Sequence, residues 1–146
     1  MTPRLPGSYV LLMQLPSPTN VTIGQLGQFE FPPGWYAYAG SACGPGGLAA
    51  RVDRHHRVSK TLHWHIDYLR AQAQVLALWY ATGRESRECR WSQALSELPG
   101  ASVPAPGFGA SDCQCRTHLI HFPDRPNRLH FARSVDEPVL EEALCA

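Results

Sequence analysis

Apolar positions along this chain switch between two periods, and the switches mark its elements. Tyr9-Val-Leu-Leu-Met-Gln-Leu15 is almost continuously apolar, which predicts a strand covered on both faces. Pro16 to Asn20 reads as a turn. Val21 to Phe31 alternates weakly around Gly24 and Gly27 and predicts an irregular hairpin, closed by Pro32-Pro33-Gly34. Trp35 to Gly40 predicts a second strand, and a glycine-rich turn then leads into a helix over Leu48 to His56. Leu62, Ile66, Leu69 and Ala73 recur at helical spacing and predict a second helix. Gln74 to Tyr80 reads as a strand. Ser86 to Leu98 reads as a third helix, with Trp91, Ala94, Leu95 and Leu98 as its apolar stripe. A long loop follows from Pro99 to Arg116. Thr117 to Phe122 and Leu129 to Ala132 predict short strands, and the acidic tail from Asp136 predicts a terminal helix.

Strands and helices interleave without a clean βαβ repeat. The pattern predicts an α/β (α+β) sandwich, a small mixed and mainly antiparallel sheet flanked by helices. At 146 residues the chain suits one domain, with its core over about 7–122 and a C-terminal extension over 123–146. Composition narrows the class without naming a function. Hydrophobic residues make up 44% and charged residues 17%, and the formal net charge is +1, so any affinity for an anionic partner must come from local charge. No apolar run approaches the ~20 residues of a membrane span, and Met1 to Gly7 lacks the apolar stretch of a secretory signal. The five cysteines, an odd number in a chain long enough to fold without staples, point to reduced thiols and a cytoplasmic setting.

Local charge is concentrated in Arg51-Val-Asp-Arg-His-His-Arg57. On a helical wheel with Leu48 at the origin, Val52 falls ~40° to one side, His55 ~20° and Arg51 ~60° to the other. Arg51 and His55 therefore border the buried stripe, while Arg54 and Arg57 point to the opposite, solvated half. The preceding strand carries Tyr36 and Tyr38 on one face. An arginine fork beside a phenol and an imidazole can hold a phosphate and move a proton. Exposed Arg54, His56, Arg57 and Lys60 add phosphate contacts that carry no sequence information.

The order of these pieces resembles the GIY-YIG nuclease superfamily. Gly7-Ser8-Tyr9 is similar to the first half of its signature, and Tyr38-Ala39-Gly40 to the second. Arg51 to His55 matches the arginine helix that follows. Glu88, in ESRECRWSQAL, is similar to the family's metal-binding glutamate. With HWHIDYL and GFGASDCQC, the stretch from Gly7 to Phe122 resembles the Uri-like branch. Twenty-eight residues lie between Tyr9 and Tyr38, a longer spacing than the family's, so the 21–31 hairpin reads as an insertion. Cys43 to Gly47 lengthens the turn before the helix. The family's asparagine after the glutamate is missing, with Ser111 or Asp112 as stand-ins.

The resemblance implies a metal-dependent endonuclease that hydrolyses phosphodiester bonds, with DNA as the favoured partner and no membrane partner. It implies catalytic roles for Tyr9, Tyr38, Arg51, His55 and Glu88, and one divalent cation, Mg²⁺ or Mn²⁺, on Glu88. Tyr38 is the favoured base and Tyr9 the alternative. Gly40, Ser41 and His65 join the cations as substrate contacts, His65 alternatively as a buried hydrogen-bonding histidine. His63 and Asp67 share a polar flank, read as a surface charge pair ahead of a metal site. Two other readings stay open. One is a nucleic-acid-binding module without turnover. The other is a zinc protein using Cys113, Cys115 and a nearby histidine in Cys113-Gln-Cys-Arg-Thr-His118, although C-x-C is shorter than the common zinc spacing.

Overall fold

The computed structural model describes residues 2–56, 62, 64–110 and 113–144. Its central strand β1 (Gly7–Leu15) is buried everywhere except at half-buried Gln14, as the continuous apolar run predicts. A hairpin of β2 (Thr19–Ile23) and β3 (Gly27–Phe31) forms a separate two-stranded sheet before β4 (Gly34–Ala42) returns alongside β1. Then come helices α1 (Gly47–His56) and α2 (His65–Arg70), strand β5 (Gln74–Thr82), helix α3 (Glu88–Ser96), strand β6 (Leu119–Phe122), helix α4 (Arg128–Val135) and strand β7 (Leu140–Ala143). The main sheet has the order β6-β4-β1-β5-β7. All four of its pairings are antiparallel, so the mixed sheet expected from sequence is antiparallel throughout the described strands.

Alternation along β1 divides the core into two layers. Tyr9, Leu11, Met13 and Leu15 face one way, into a cluster with Leu48 and Val52 of α1, Ile66 and Leu69 of α2, hairpin residues Ile23 and Phe31, and Phe108 of the long loop. Val10 and Leu12 face the other way, against Trp79 of β5, Trp91 and Leu95 of α3, and Phe131 of α4. The β2–β3 hairpin thus covers the same face as α1 and α2. At ~25 cal/mol per Å² of apolar surface, covering both sides of one strand is what makes an all-apolar sequence stable there.

Three expected elements are corrected. Leu129 to Ala132 belongs to α4, not to a strand. The Asn127 side chain accepts the His130 N–H at 2.9 Å and caps the helix, and Phe131 and Val135, four apart, bury one stripe. The tail forms β7, not a helix, and covers the outer edge of β5. Glu141 there accepts the Trp79 indole N–H at 2.8 Å, and flanking Val139 and Leu144 are buried. The second helix is shorter than its apolar spacing suggests, because Asp67 caps the Trp64 N–H at 2.8 Å and starts it late. Leu62 lies outside it and is exposed. Among the described residues no helix is long and apolar enough to cross a membrane.

Candidate functional site

The register of β1 and β4 sets Tyr9 opposite Gly40 and Leu11 opposite Tyr38. Tyr9 and Tyr38 are therefore diagonal neighbours on one face, with ring centroids 6.5 Å apart. Gly40 is required by this arrangement. A Cβ there would lie 2.6 Å from Cζ and the hydroxyl oxygen of Tyr9, so only a glycine lets the phenol lie across β4. Gly7 does the same for α1. Its Cβ would lie 2.4 Å from the Ala81 carbonyl oxygen and 2.8 Å from Leu48 Cδ1. Gly40 and Gly7 thus admit a ring and a helix at close range.

The helix admitted by Gly7 carries His55, which is fully buried. Its Nε2 is hydrogen-bonded to the Tyr9 hydroxyl at 2.9 Å, and the rings meet edge to face at 5.6 Å. The Arg70 guanidinium donates to the His55 carbonyl, tying α2 to the end of α1. Arg51 is half-buried, with its guanidinium carbon 4.4 Å from the centre of the Trp64 ring. Arg54 stacks on the same indole at 3.8 Å. The expectation that Arg54 is a solvated cation is corrected, because its Nη2 donates at 2.8 Å to Asp67, a carboxylate with no exposed side-chain surface. Asp67 is thus buried rather than part of a surface flank, and His63 lies outside the described residues. A shallow depression of about 300 Å³ opens beside this array, lined by Gly44, Pro45, Arg51, Arg54 and Trp64.

Glu88 opens α3 from its first turn, where the helix dipole favours a carboxylate, and it is half-buried. It acts electrostatically on both phenols. Burial is the main cause that pushes Tyr9 well above the ordinary tyrosine range, with Tyr38 and Glu88 adding and Arg51 and Arg54 opposing. Burial also raises Tyr38, with Glu88 next and Arg51 opposing. The structure therefore brings Tyr9, Tyr38 and His55 together, within the electrostatic influence of Arg51 and Glu88, and burial favours the protonated form of both phenols.

The expected substrate contacts divide. Gly40 is committed to seating Tyr9, and half-buried Ser41 pairs with Ser8 across β1. His56 is exposed at the end of α1. His65 takes the hydrogen-bonding role, its Nδ1 accepting the Gly109 N–H at 2.8 Å beside the Phe108 ring. Burial lowers its pKa. Arg57, Lys60, Ser111 and Asp112 lie outside the described residues.

A second cluster adjoins Glu88. Cys89 follows it on α3, Cys113 and Cys115 come from the long loop, and His118 leads into β6. Their ligand atoms all lie within 4.8 Å of one another. Cys89 and Cys115 form a disulfide with Cα atoms 6.0 Å apart, which corrects the expectation of wholly reduced thiols. Cys113 and exposed Cys43 are free. Sequence reading missed Cys89, since nothing at its own position signals that α3 starts over the loop. It also missed Trp64, whose role as a shared platform for two arginines depends on where α2 lies.

Neither the curated proteins nor the solved structures contain a match to this chain. A family model described as Domain of unknown function DUF123 matches residues 8–139, from β1 through α4, and the chain belongs to that family.

Proposed function

We propose that this protein is a GIY-YIG-like endonuclease of the cytoplasm, hydrolysing phosphodiester bonds in nucleic acid, with DNA as the favoured substrate. One observation carries the reading. Tyr9, hydrogen-bonded to His55 at 2.9 Å, shares a site with Tyr38, and both phenols feel Arg51 and Glu88. Tyr9 is buried and holds α1 against β1, which aims Arg51. Tyr38 is only half-buried and meets the substrate. Tyr38 first gives up its phenolic proton to solvent, against the burial and the Glu88 charge that raise its pKa. As tyrosinate it then accepts a proton from the attacking water, whose oxygen bonds to phosphorus as the leaving oxygen departs and takes a proton from solvent. Arg51 stabilises the added charge of the transition state. The depression beside Arg51 and Trp64 admits the backbone of the substrate.

A single half-buried carboxylate suits a hard cation that binds through one or two carboxylates and substrate phosphates, so Glu88 is the residue to hold Mg²⁺ or Mn²⁺. When bound, that ion supplies positive charge to the phosphate oxygens. Neutralising Glu88 also removes the second cause, after burial, of the raised Tyr38 pKa. The test is cleavage of labelled single-stranded, duplex and branched nucleic acids with Mg²⁺, Mn²⁺ or EDTA. Wild type cuts with the ion, EDTA stops it, and Glu88→Gln loses at least about 100-fold while still binding. Cutting by Glu88→Gln at the wild-type rate overturns the assignment.

A second reading has one observation in its favour. Both phenols are pushed above the ordinary range, which suits a binding module as well as it does a resting enzyme. Binding without cleavage under every ion condition would establish it.

A further inference from the structure

The Cys89, Cys113, Cys115 and His118 cluster lies outside the phosphodiester site, and a disulfide accounts for only half of it. Two more soft donors crowd the same point. Cys113 Sγ stands 3.3 Å from His118 Nε2, and Cys89 Sγ stands 3.9 Å from the same nitrogen. A tetrahedral zinc ion with Zn–S of ~2.3 Å and Zn–N of ~2.0–2.1 Å sets sulfur and nitrogen ligands ~3.5 Å apart. The two observed separations bracket that edge. The donors come from the start of α3, the long loop and the residue before β6, so one ion would tie three segments together.

Backbone contacts aim the histidine independently of the cysteines. The His118 N–H donates to the Phe108 carbonyl at 2.8 Å, and its carbonyl accepts the Ala39 N–H at 3.0 Å. His118 is buried while Cys89 is exposed, so the cluster has an anchored side and an open side through which an ion can enter. Three thiolates and an imidazole are a soft set that selects zinc over Mg²⁺.

We infer that these four side chains form a structural zinc site of the Cys₃His type. The disulfide and the metal site are alternative states of the same sulfurs. A dithiol reductant supplies two electrons and two protons to the Cys89–Cys115 bond and becomes a cyclic disulfide. Zn²⁺ then displaces one proton from each of three thiols and takes the neutral imidazole as its fourth ligand. The ion clamps α3 at Cys89, beside Glu88, and so fixes where that carboxylate stands. The site does not depend on the nuclease reading.

The experiment is to purify the full chain in a dithiol reductant with zinc present, then measure bound metal by mass spectrometry and thiols by titration. The expected result is about one zinc per chain, as four protein ligands fill a closed structural site. Loss of that zinc is expected in each of Cys89→Ser, Cys113→Ser, Cys115→Ser and His118→Gln, and full retention in Cys43→Ser. Co²⁺ added to reduced, metal-stripped wild type should give the visible bands of a tetrahedral thiolate site, a readout that needs no variant to fold. Three results would each overturn the proposal. They are reduced wild type that is folded but binds neither metal, zinc retained by Cys113→Ser or His118→Gln, and a Cys89–Cys115 disulfide that survives the reductant with zinc in excess.

Discussion

The phenol site and the thiol cluster are neighbours built in opposite ways. Tyr9 and Tyr38 stand on adjacent strands whose pairing fixes them to within a register step, and β1 is paired on both sides. Deleting one hydroxyl there leaves the scaffold standing. The thiol cluster has such a frame only at His118, through its backbone hydrogen bonds to Phe108 and Ala39. Cys113 and Cys115 sit in a loop that the cluster links to Cys89 at the start of α3. In the first region geometry comes from backbone and chemistry is added to it, whereas in the second the side-chain links make the geometry. Losses in the first should appear as activity, and losses in the second as stability.

The largest expected effect tests the first half of that contrast. Tyr38→Phe keeps the ring and its packing and removes only the hydroxyl. Turnover should fall about 10²–10⁴-fold, the range for loss of a general base, with melting temperature nearly unchanged. Tyr36→Phe is the control. Its hydroxyl donates to the Pro32 carbonyl, on the same strand but away from the site, so it should lose ~1 kcal/mol of stability and stay active. Equal activity in the two variants would leave the YxG triplet as a well-packed strand end.

Cys115→Ser tests the other half. Its link to Cys89 closes a sequence separation of 26 residues, and a cross-link of that reach is worth about 3 kcal/mol. Thermal or urea unfolding under oxidising conditions should show that loss, with little change in KM for any substrate found. A drop in turnover with stability intact would mean that the thiols belong to the reaction and would dissolve the contrast.

How much of this was legible in the sequence follows the same division. β1 and the inward stripe of α1 were readable because period and burial are local, and they set Arg51 and His55 beside the Tyr36 and Tyr38 strand, while Tyr9 joined the group only through the family resemblance of Gly7-Ser8-Tyr9. Arg54 was misjudged because a helical wheel knows only its own helix. The buried carboxylate that claims it, Asp67, arrives from α2. Cys89 was unreadable for the same reason, since its partner Cys115 comes from the long loop, 26 residues further along the chain. The C-terminal region was inverted by length. Leu129 to Ala132 is too short to show a period, and the cap at Asn127 behind Pro126 was the better signal.

Arg54 offers a further cut at the comparison, because it lies beside the phenol site and yet serves as a link. Its side chain is 19% exposed and its partner Asp67 is fully buried. Arg54→Ala leaves that carboxylate with the Trp64 N–H it also accepts, and should cost about 2 kcal/mol, the scale of a hydrogen bond to a charged group. Arg51→Ala should cost less stability and more turnover, since its proposed partner is transition-state charge. If the two variants behaved alike, the division of labour on α1 would be wrong.

The smallest expected effect is read without any substitution. Burial is the leading cause that raises Tyr9, Tyr36 and Tyr38 above the ordinary tyrosine value, so each is a better acid in the unfolded chain than in the folded one. The stability linked to them is fully present below the unfolded value of ~10. As pH climbs above ~10 toward the raised folded values, the unfolded chain loses these protons first, and stability falls. In an alkaline absorbance titration these three phenols should therefore ionise only as the fold opens. Repeating it with divalent cation present sharpens the test. A cation on Glu88 cancels a charge that opposes the tyrosinate at Tyr9 and Tyr38 but is not among the causes acting on Tyr36. Because these phenols ionise only as the fold opens, an ion that binds the folded chain and lowers their folded pKa holds the fold together longer, so their ionisation should move to higher pH in wild type and stay put in Glu88→Gln. A titration indifferent to the ion in both proteins would remove Glu88 as the cation's ligand.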